Sequence, residues 1–220
     1  MENYKISIRK VLTQLHPDCN ITDEAKTNIN LILNVLLIKL VNQSKKFMKS
    51  EKFEKGGKTL SQKKTLSVLE LEKAVKLIIP DKFAEHAISV GKNIVSKFKK
   101  NEKMKGTLEK KAGLQFSVSK TRKVMRNLLS KDDNLSEYAP VYASAVLEYI
   151  CAEFLETAGE VARNKKRKTI NTIFLKTYIL NEPELKHLIV GTLKISFKGE
   201  IGVFTNLTNQ KFKYTQSTKL

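Results

Sequence analysis

The sequence predicts an all-α chain made of two copies of one helical unit, each reading short helix, loop, long helix, basic loop, short helix, and paired within the chain. Apolar residues recur at spacings of three and four along most of the length, the period of an amphipathic helix. The order of elements repeats once, and the two basic loops end alike, in Lys63-Lys64-Thr65-Leu66 and Arg167-Lys168-Thr169-Ile170. The third observation is geometric. A helix of about 27 residues is about 40 Å long, and one unit cannot cover both sides of it. Two units crossing along their long helices can, so an intramolecular handshake is expected.

In the first unit, residues 4–15 read as a short amphipathic helix with Ile8, Val11, Leu12 and Leu15 on one side. His16-Pro17-Asp18 ends it, because the residue before proline is pushed out of the helical region. Thr22 is a good N-cap, and Asp23 and Glu24 suit the positive end of the helix dipole. The long helix that follows carries Ala25, Ile29, Ile32, Leu33, Leu36, Leu37, Leu40 and Val41, and is expected to reach about Met48. Residues 49–64 are rich in Lys and Gly and read as an exposed loop, with Lys45, Lys46, Lys49, Lys52, Lys55 and Lys58 solvated. Thr65 or Ser67 then caps a shorter helix, Pro80 stops it, and an amphipathic helix is expected over about 81–98.

The pattern then restarts. A short helix is expected over about 119–129, with Pro140 opening a long helix to about Ala162. After Lys165-Lys166-Arg167-Lys168, shorter helices are expected over 171–180 and 184–190, with β-like or extended chain from 193 to 220.

Charge narrows the function. The chain carries 41 Lys and Arg against 22 Asp and Glu, a net charge of +19. Residues 1–110 hold 23 basic and 12 acidic side chains and residues 111–220 hold 18 and 10, so both halves are positive. Such an excess repels itself and gains nothing in folding, which points to a polyanionic partner, nucleic acid or an anionic membrane surface. The longest apolar stretch, 29–41, is interrupted by Asn30, Asn34 and Lys39 and is too short to span a bilayer, so no membrane is expected. Cys19 and Cys151 have no metal or redox spacing and imply a reducing compartment. His16, His86 and His187 read as structural, and Gly56-Gly57-Lys58 lacks the strand and spacing of a phosphate loop. Glu153 and Glu156 fall three apart, but no nucleophile, metal set or phosphate loop accompanies them. An enzyme is therefore not expected, nor a cofactor or small-molecule substrate.

Particular residues now carry a resemblance. Arg9 through Asp18 (RKVLTQLHPD) resembles the first helix and loop of histone two-B, residues 65–80 its third helix, and Phe83-Ala84-Glu85-His86-Ala87-Ile88-Ser89 its extra C-terminal helix. Ala112-Gly113-Leu114-Gln115-Phe116 resembles the start of histone two-A, and residues 139–156 (APVYASAVLEYICAEFLE) its long helix. Asn181-Glu182-Pro183-Glu184-Leu185 is similar to its acidic C-terminal turn. The chain thus resembles two fused histone folds, and in this order the histone doublets of giant DNA viruses. The resemblance implies a histone two-B-like unit at 1–100, a linker at 101–111, a histone two-A-like unit with a docking segment at 112–205, and a basic flexible tail at 206–220.

By the same resemblance the function is to wrap double-stranded DNA without reading its sequence. First-helix contacts would be Arg9, Lys10, Lys120, Arg122, Lys123 and Arg126. The loops would add Asn20, Ile21, Thr22, Lys63, Lys64 and Thr65 from the first unit, and Arg167, Lys168 and Thr169 from the second. An acidic patch for partner proteins would comprise Glu148, Glu153, Glu156, Glu182 and Glu184. Its docking is expected to be weakened, because Pro183, Lys82 and Val90 stand where the family has acids. The implied partner is a unit resembling histones three and four, itself a fused doublet, completing an octamer-like core. It would pair around residues 77–98 and receive the docking segment, residues 193–204. The implied location is the nucleus and chromosome, or the host nucleus, viral factory and virion. The alternative is a regulatory histone-fold pair that binds DNA without wrapping it.

The chain departs from the family in ways that matter. The family's long basic tail ahead of the first helix is expected to be lacking, and the loop before Lys63 is expected to be longer. Only five basic residues are Arg and 36 are Lys, and Thr169 stands where the family has a loop arginine. Because guanidinium is the better group for a narrow minor groove, wrapping is expected to be looser and more salt-sensitive.

Overall fold

The computed structural model describes residues 1–50, 54–55, 58–59, 63–198 and 203–206. The first unit comprises α1 (Lys5–Leu15), β1 (Asn20–Ile21), α2 (Asp23–Ser50), β2 (Glu54–Lys55), β3 (Lys58–Thr59), β4 (Thr65–Leu66), α3 (Val68–Ile78) and α4 (Asp81–Lys100). The second comprises α5 (Leu108–Ala112), α6 (Val118–Leu128), β5 (Asn134–Leu135), α7 (Tyr138–Asn164), β6 (Thr169–Ile170), α8 (Thr172–Asn181) and α9 (Pro183–Lys186). A π-helical turn, His187–Thr192, and an antiparallel hairpin of β7 (Ile195–Lys198) and β8 (Val203–Asn206) follow.

The two units pair head to tail. β1 lies parallel to β6, with Asn20 opposite Thr169, and β4 lies parallel to β5, with Thr65 opposite Asn134. Each bridge therefore joins the first loop of one unit to the second loop of the other, the intramolecular handshake that the sequence repeat predicts. The long helices show why pairing is needed. Every residue of α7 from Ala139 to Leu147 is buried, which one amphipathic face cannot explain. α4 covers one side of it, while α1, α2 and α6 pack around the rest. Gly91 of α4 lies against the ring of Tyr142, where a Cβ would collide.

A buried polar seam crosses the pairing. Ser144 donates to Thr121 Oγ1 at 2.9 Å, and the Tyr4 hydroxyl shares that oxygen at 3.2 Å. Burial pushes the Tyr4 phenol up to about 12, and its ring stacks on Phe116 at 5.3 Å between centroids. Tyr4 at the start of α1 is thereby tied to α6 and α7 of the other unit.

The structure departs from the sequence expectation at several boundaries. Pro140 does not open the second long helix, which starts at Tyr138. It sits within the first turn, where its missing N–H has no intrahelical partner to lose. Ser67, not Thr65, caps α3, in a capping box with Glu70. The linker expected at 101–111 is shorter, because its last residues belong to α5. Thr107 caps that helix, and Gly113 ends it in the left-handed region at φ +75°. The small helix expected at 184–190 is instead α9 followed by the π-turn. Half of the Lys- and Gly-rich loop lies outside the described residues, including Lys52, Gly56 and Gly57, and so do residues 207–220 of the basic tail.

Candidate nucleic-acid interface

Each bridge forms a joint at one end of the pair. At the first joint, Asn20 N donates to Lys168 O at 2.7 Å and Thr22 N to Ile170 O at 2.9 Å. At the second, Asn134 N donates to Lys64 O at 2.6 Å and Ser136 N to Leu66 O at 3.0 Å. Four helix N-termini open beside these bridges, those of α2, α8, α3 and α7. Thr22, Asn171, Ser67 and Ser136 each accept from a first-turn amide, at Ala25, Phe174, Leu69 and Ala139. The remaining free amides and the positive dipole ends suit anionic oxygens.

Around this frame stand the expected DNA contacts. Arg9, Lys10, Asn20, Lys64, Arg122, Lys123, Arg126, Arg167, Lys168 and Thr169 are exposed, whereas Thr22, Lys63, Thr65 and Lys120 are half-buried. Ile21 is buried, so only its main chain can face a ligand. Arg122 and Arg126 line one cavity of about 340 Å³ with Leu135, Ser136 and Glu137, against the start of α7.

Several of these cations are already engaged. Lys63 is ion-paired to Glu70, a fully buried carboxylate that also accepts from Ser67 N at 2.9 Å and Ser67 Oγ at 2.7 Å. Burial alone would push the Glu70 carboxyl up, but the Lys63 ammonium and the Ser67 donors outweigh it and hold it below its ordinary value. Lys63 therefore closes the second joint from within, and Lys64 is the cation it leaves outside. Lys120 donates to Asn3 O at 2.6 Å, and Lys123 lies 3.4 Å from Glu2. At the first joint, Asp23 binds Lys5 at 2.8 Å and Lys26 at 3.2 Å, and hydrogen bonds from these two ammoniums hold its carboxyl low.

The arginines behave differently. Among the described residues no carboxylate lies within ion-pair distance of Arg9, Arg122, Arg126, Arg163 or Arg167, the five arginines of the chain. Three are aimed by neutral acceptors: Arg9 by Asn20 Oδ1 at 2.9 Å, Arg126 by Asp133 O at 2.7 Å, and Arg163 by His16 Nδ1 at 2.6 Å. A guanidinium oriented this way keeps its full charge for an incoming anion, whereas a carboxylate partner would cancel it.

The expected acidic patch divides. The Glu148 carboxylate turns inward and accepts from Gln115 N at 2.7 Å and Phe116 N at 2.8 Å, anchoring the segment before α6. Burial raises its pKa against those two amides. Glu156 is exposed, Glu153 and Glu182 are half-buried, and Glu182 lies 3.9 Å from Lys82. Glu184 keeps one buried carboxylate oxygen without a partner. It lines a groove of about 490 Å³ with Leu77, Pro80, Pro183 and His187.

Sequence reasoning missed Arg163 and the clamp that holds residues 2–4. Buried Asn34 accepts from Glu2 N and donates to Glu2 O, while Asn30 accepts from Tyr4 N. Two asparagines four apart on an otherwise apolar helical stretch were the available signal.

No known family model matches the chain. Among solved structures, the histone from Methanopyrus kandleri is similar at 16% identity and a TM-score of 0.44, over 87% of this chain and 95% of that one.

Proposed function

We propose that this chain is a dimer-equivalent histone-fold subunit that holds double-stranded DNA through its phosphates, without base readout, and acts as a packaging protein rather than an enzyme. The observation that carries this reading is the pair of loop joints, each presenting helix N-termini beside an arginine that no carboxylate among the described residues pairs with. Wrapping requires repeated phosphate contacts on a rigid ramp, and helix ends with basic loops supply them. The net charge of +19 supports the same partner. On this reading Arg9, Lys10, Arg122, Arg126, Lys64, Arg167 and Lys168 are the principal contacts, with main-chain groups at Asn20–Thr22, Thr65 and Thr169.

The finer reading is a subunit of a nucleosome-like particle, completed by a unit resembling histones three and four that seats near residues 77–98. Its place is then chromatin, or a viral factory and virion if the resemblance to viral doublets extends to its source. Micrococcal nuclease digestion after reconstitution on long DNA with such a partner tests it. A discrete protected fragment that this chain lengthens is the expected result. Duplex binding without a protected fragment would reduce the function to that of a regulatory histone-fold pair, and absence of duplex binding would overturn the reading.

A further inference from the structure

We propose that Arg163 is an additional phosphate contact at the first joint, and that His16 is the residue that positions it. This inference rests on the DNA-holding reading above and extends its contact set to a residue of α7 outside both loops.

The geometry fixes the proton positions. A guanidinium N–H can only donate, so His16 Nδ1, 2.6 Å from Arg163, accepts. The ring proton then sits on Nε2, which donates to Glu156 O at 3.1 Å. The imidazole is thus held at both nitrogens, at 7% exposure, while the Arg163 residue remains exposed.

The pocket for the ring is built. His16 belongs to the first unit and ends α1, whereas Glu156, Gly159 and Arg163 lie on consecutive turns of α7 in the second. A Cβ at residue 159 would collide with the imidazole. Gly159 therefore admits the ring in mid-helix, where glycine is otherwise unfavourable.

Of the five N–H donors of Arg163, one is spent on a neutral nitrogen, and no carboxylate among the described residues pairs with it. Arg163 stands four residues before Arg167 and five before Lys168, whose carbonyl receives the Asn20 amide. Across the same joint, Asn20 aims Arg9 in the same manner. Two uncompensated, pre-aimed guanidiniums therefore come from the two units to one loop pair, an arrangement suited to successive phosphates of a strand.

The test is duplex binding by the full chain against salt concentration, comparing wild type with Arg163→Gln, Arg163→Lys, His16→Phe and the double variant His16→Phe/Arg163→Gln. His16→Phe keeps a ring in the Gly159 notch and removes both the acceptor for Arg163 and the donor to Glu156 O. Arg163→Gln is expected to flatten the log–log salt dependence by about one unit. Arg163→Lys keeps the slope and weakens binding, because charge remains and the aimed fork is lost. His16→Phe weakens binding in an Arg163-dependent way, so the double variant binds no more weakly than Arg163→Gln alone. A merely structural role for His16 would lower affinity equally with or without Arg163, and that outcome overturns its positioning role. Wild-type slope and affinity in Arg163→Gln overturn the contact. A wild-type chain that fails to bind duplex DNA instead overturns the reading on which both depend.

Discussion

The two joints share a hydrogen-bond ladder and differ in what locks it. At the second joint the lock is ionic: Lys63 reaches buried Glu70, and the same carboxylate closes the capping box of α3. At the first joint the lock is steric and neutral: the His16 ring seats over Gly159 and bonds Glu156 O and Arg163. Gly159 lies 25 residues beyond Asn134, and Lys45 lies 25 beyond Asn20, so the two occupy equivalent places on the long helices. Lys45 fills its place by donating to Leu128 O at 2.7 Å. The same backbone frame thus tolerates two different fastenings, and they differ in the cation left over. The ionic lock consumes a loop lysine, whereas the neutral lock leaves its arginine charged toward solvent.

That difference is broken most strongly at Glu70. Glu70→Ala removes the partner of Lys63 and half of a capping box, and should cost about 3 kcal/mol. Thermal unfolding would register this as a fall of about 8 °C. At the first joint Gly159→Ala gains helix propensity but drives a methyl into the His16 ring, for a net loss of about 1–2 kcal/mol. His16→Ala should recover most of that loss in the double variant, because the collision partner is gone. Additive losses in chemical denaturation would mean that the ring is not what Gly159 accommodates. Lys45→Ala, at the equivalent place in the second joint, should cost below about 1 kcal/mol.

Acid should separate the locks further. Glu70 is held below its ordinary value in the folded protein. Its contribution is therefore fully present above the unfolded carboxylate pKa, and is lost as pH falls through the lower folded value. Stability should decline below about pH 4, and Glu70→Gln should flatten that decline. Glu148 works with the opposite sign, since its raised pKa favours the folded state below the unfolded value and loses that advantage as pH rises. Unfolding midpoints measured between pH 3 and 7 (roughly the span over which carboxyls titrate) check both signs, and an acid limb unchanged in Glu70→Gln would remove Glu70 as its source.

Periodicity made the helices legible because burial on one face writes itself into spacing: Ile29, Ile32, Leu33, Leu36 and Leu37 are all buried, as their pattern requires. The repeat made the pairing legible, since neither long helix could be covered alone. The locks were not legible. Whether a lysine faces solvent or a buried carboxylate seven residues away, as Lys63 does, depends on a fold that spacing does not encode. His16 reads from the sequence as structural, and nothing in spacing points to its partner 147 residues away. Local chemistry was recoverable in part: Thr22 caps as expected, whereas the cap at Thr107 was hidden inside a stretch that composition marked as linker.

Between the joints lies ground where cations are masked by the chain itself, and there the smallest effect is expected. Glu2 reaches Lys123 at 3.4 Å and the Asn3 carbonyl takes Lys120, both held in place by the Asn30 and Asn34 clamp. The Lys123 side chain is 69% exposed and Glu2 21%, so the pair itself is worth about 0.5 kcal/mol at most. Glu2→Gln should therefore leave the melting temperature within about 2 °C of wild type. A phosphate approaching Lys123 must displace or share with that carboxylate, so removing its charge should raise duplex affinity about twofold and steepen the salt dependence slightly. Anisotropy titrations at several salt concentrations would resolve this. Unchanged affinity would mean that DNA passes from joint to joint without using Lys123. A twofold gain would mean that the residues leading into α1 temper the middle of the ramp, as Glu70 tempers Lys63 at the second joint, while the arginines at the two ends keep their charge for the ligand.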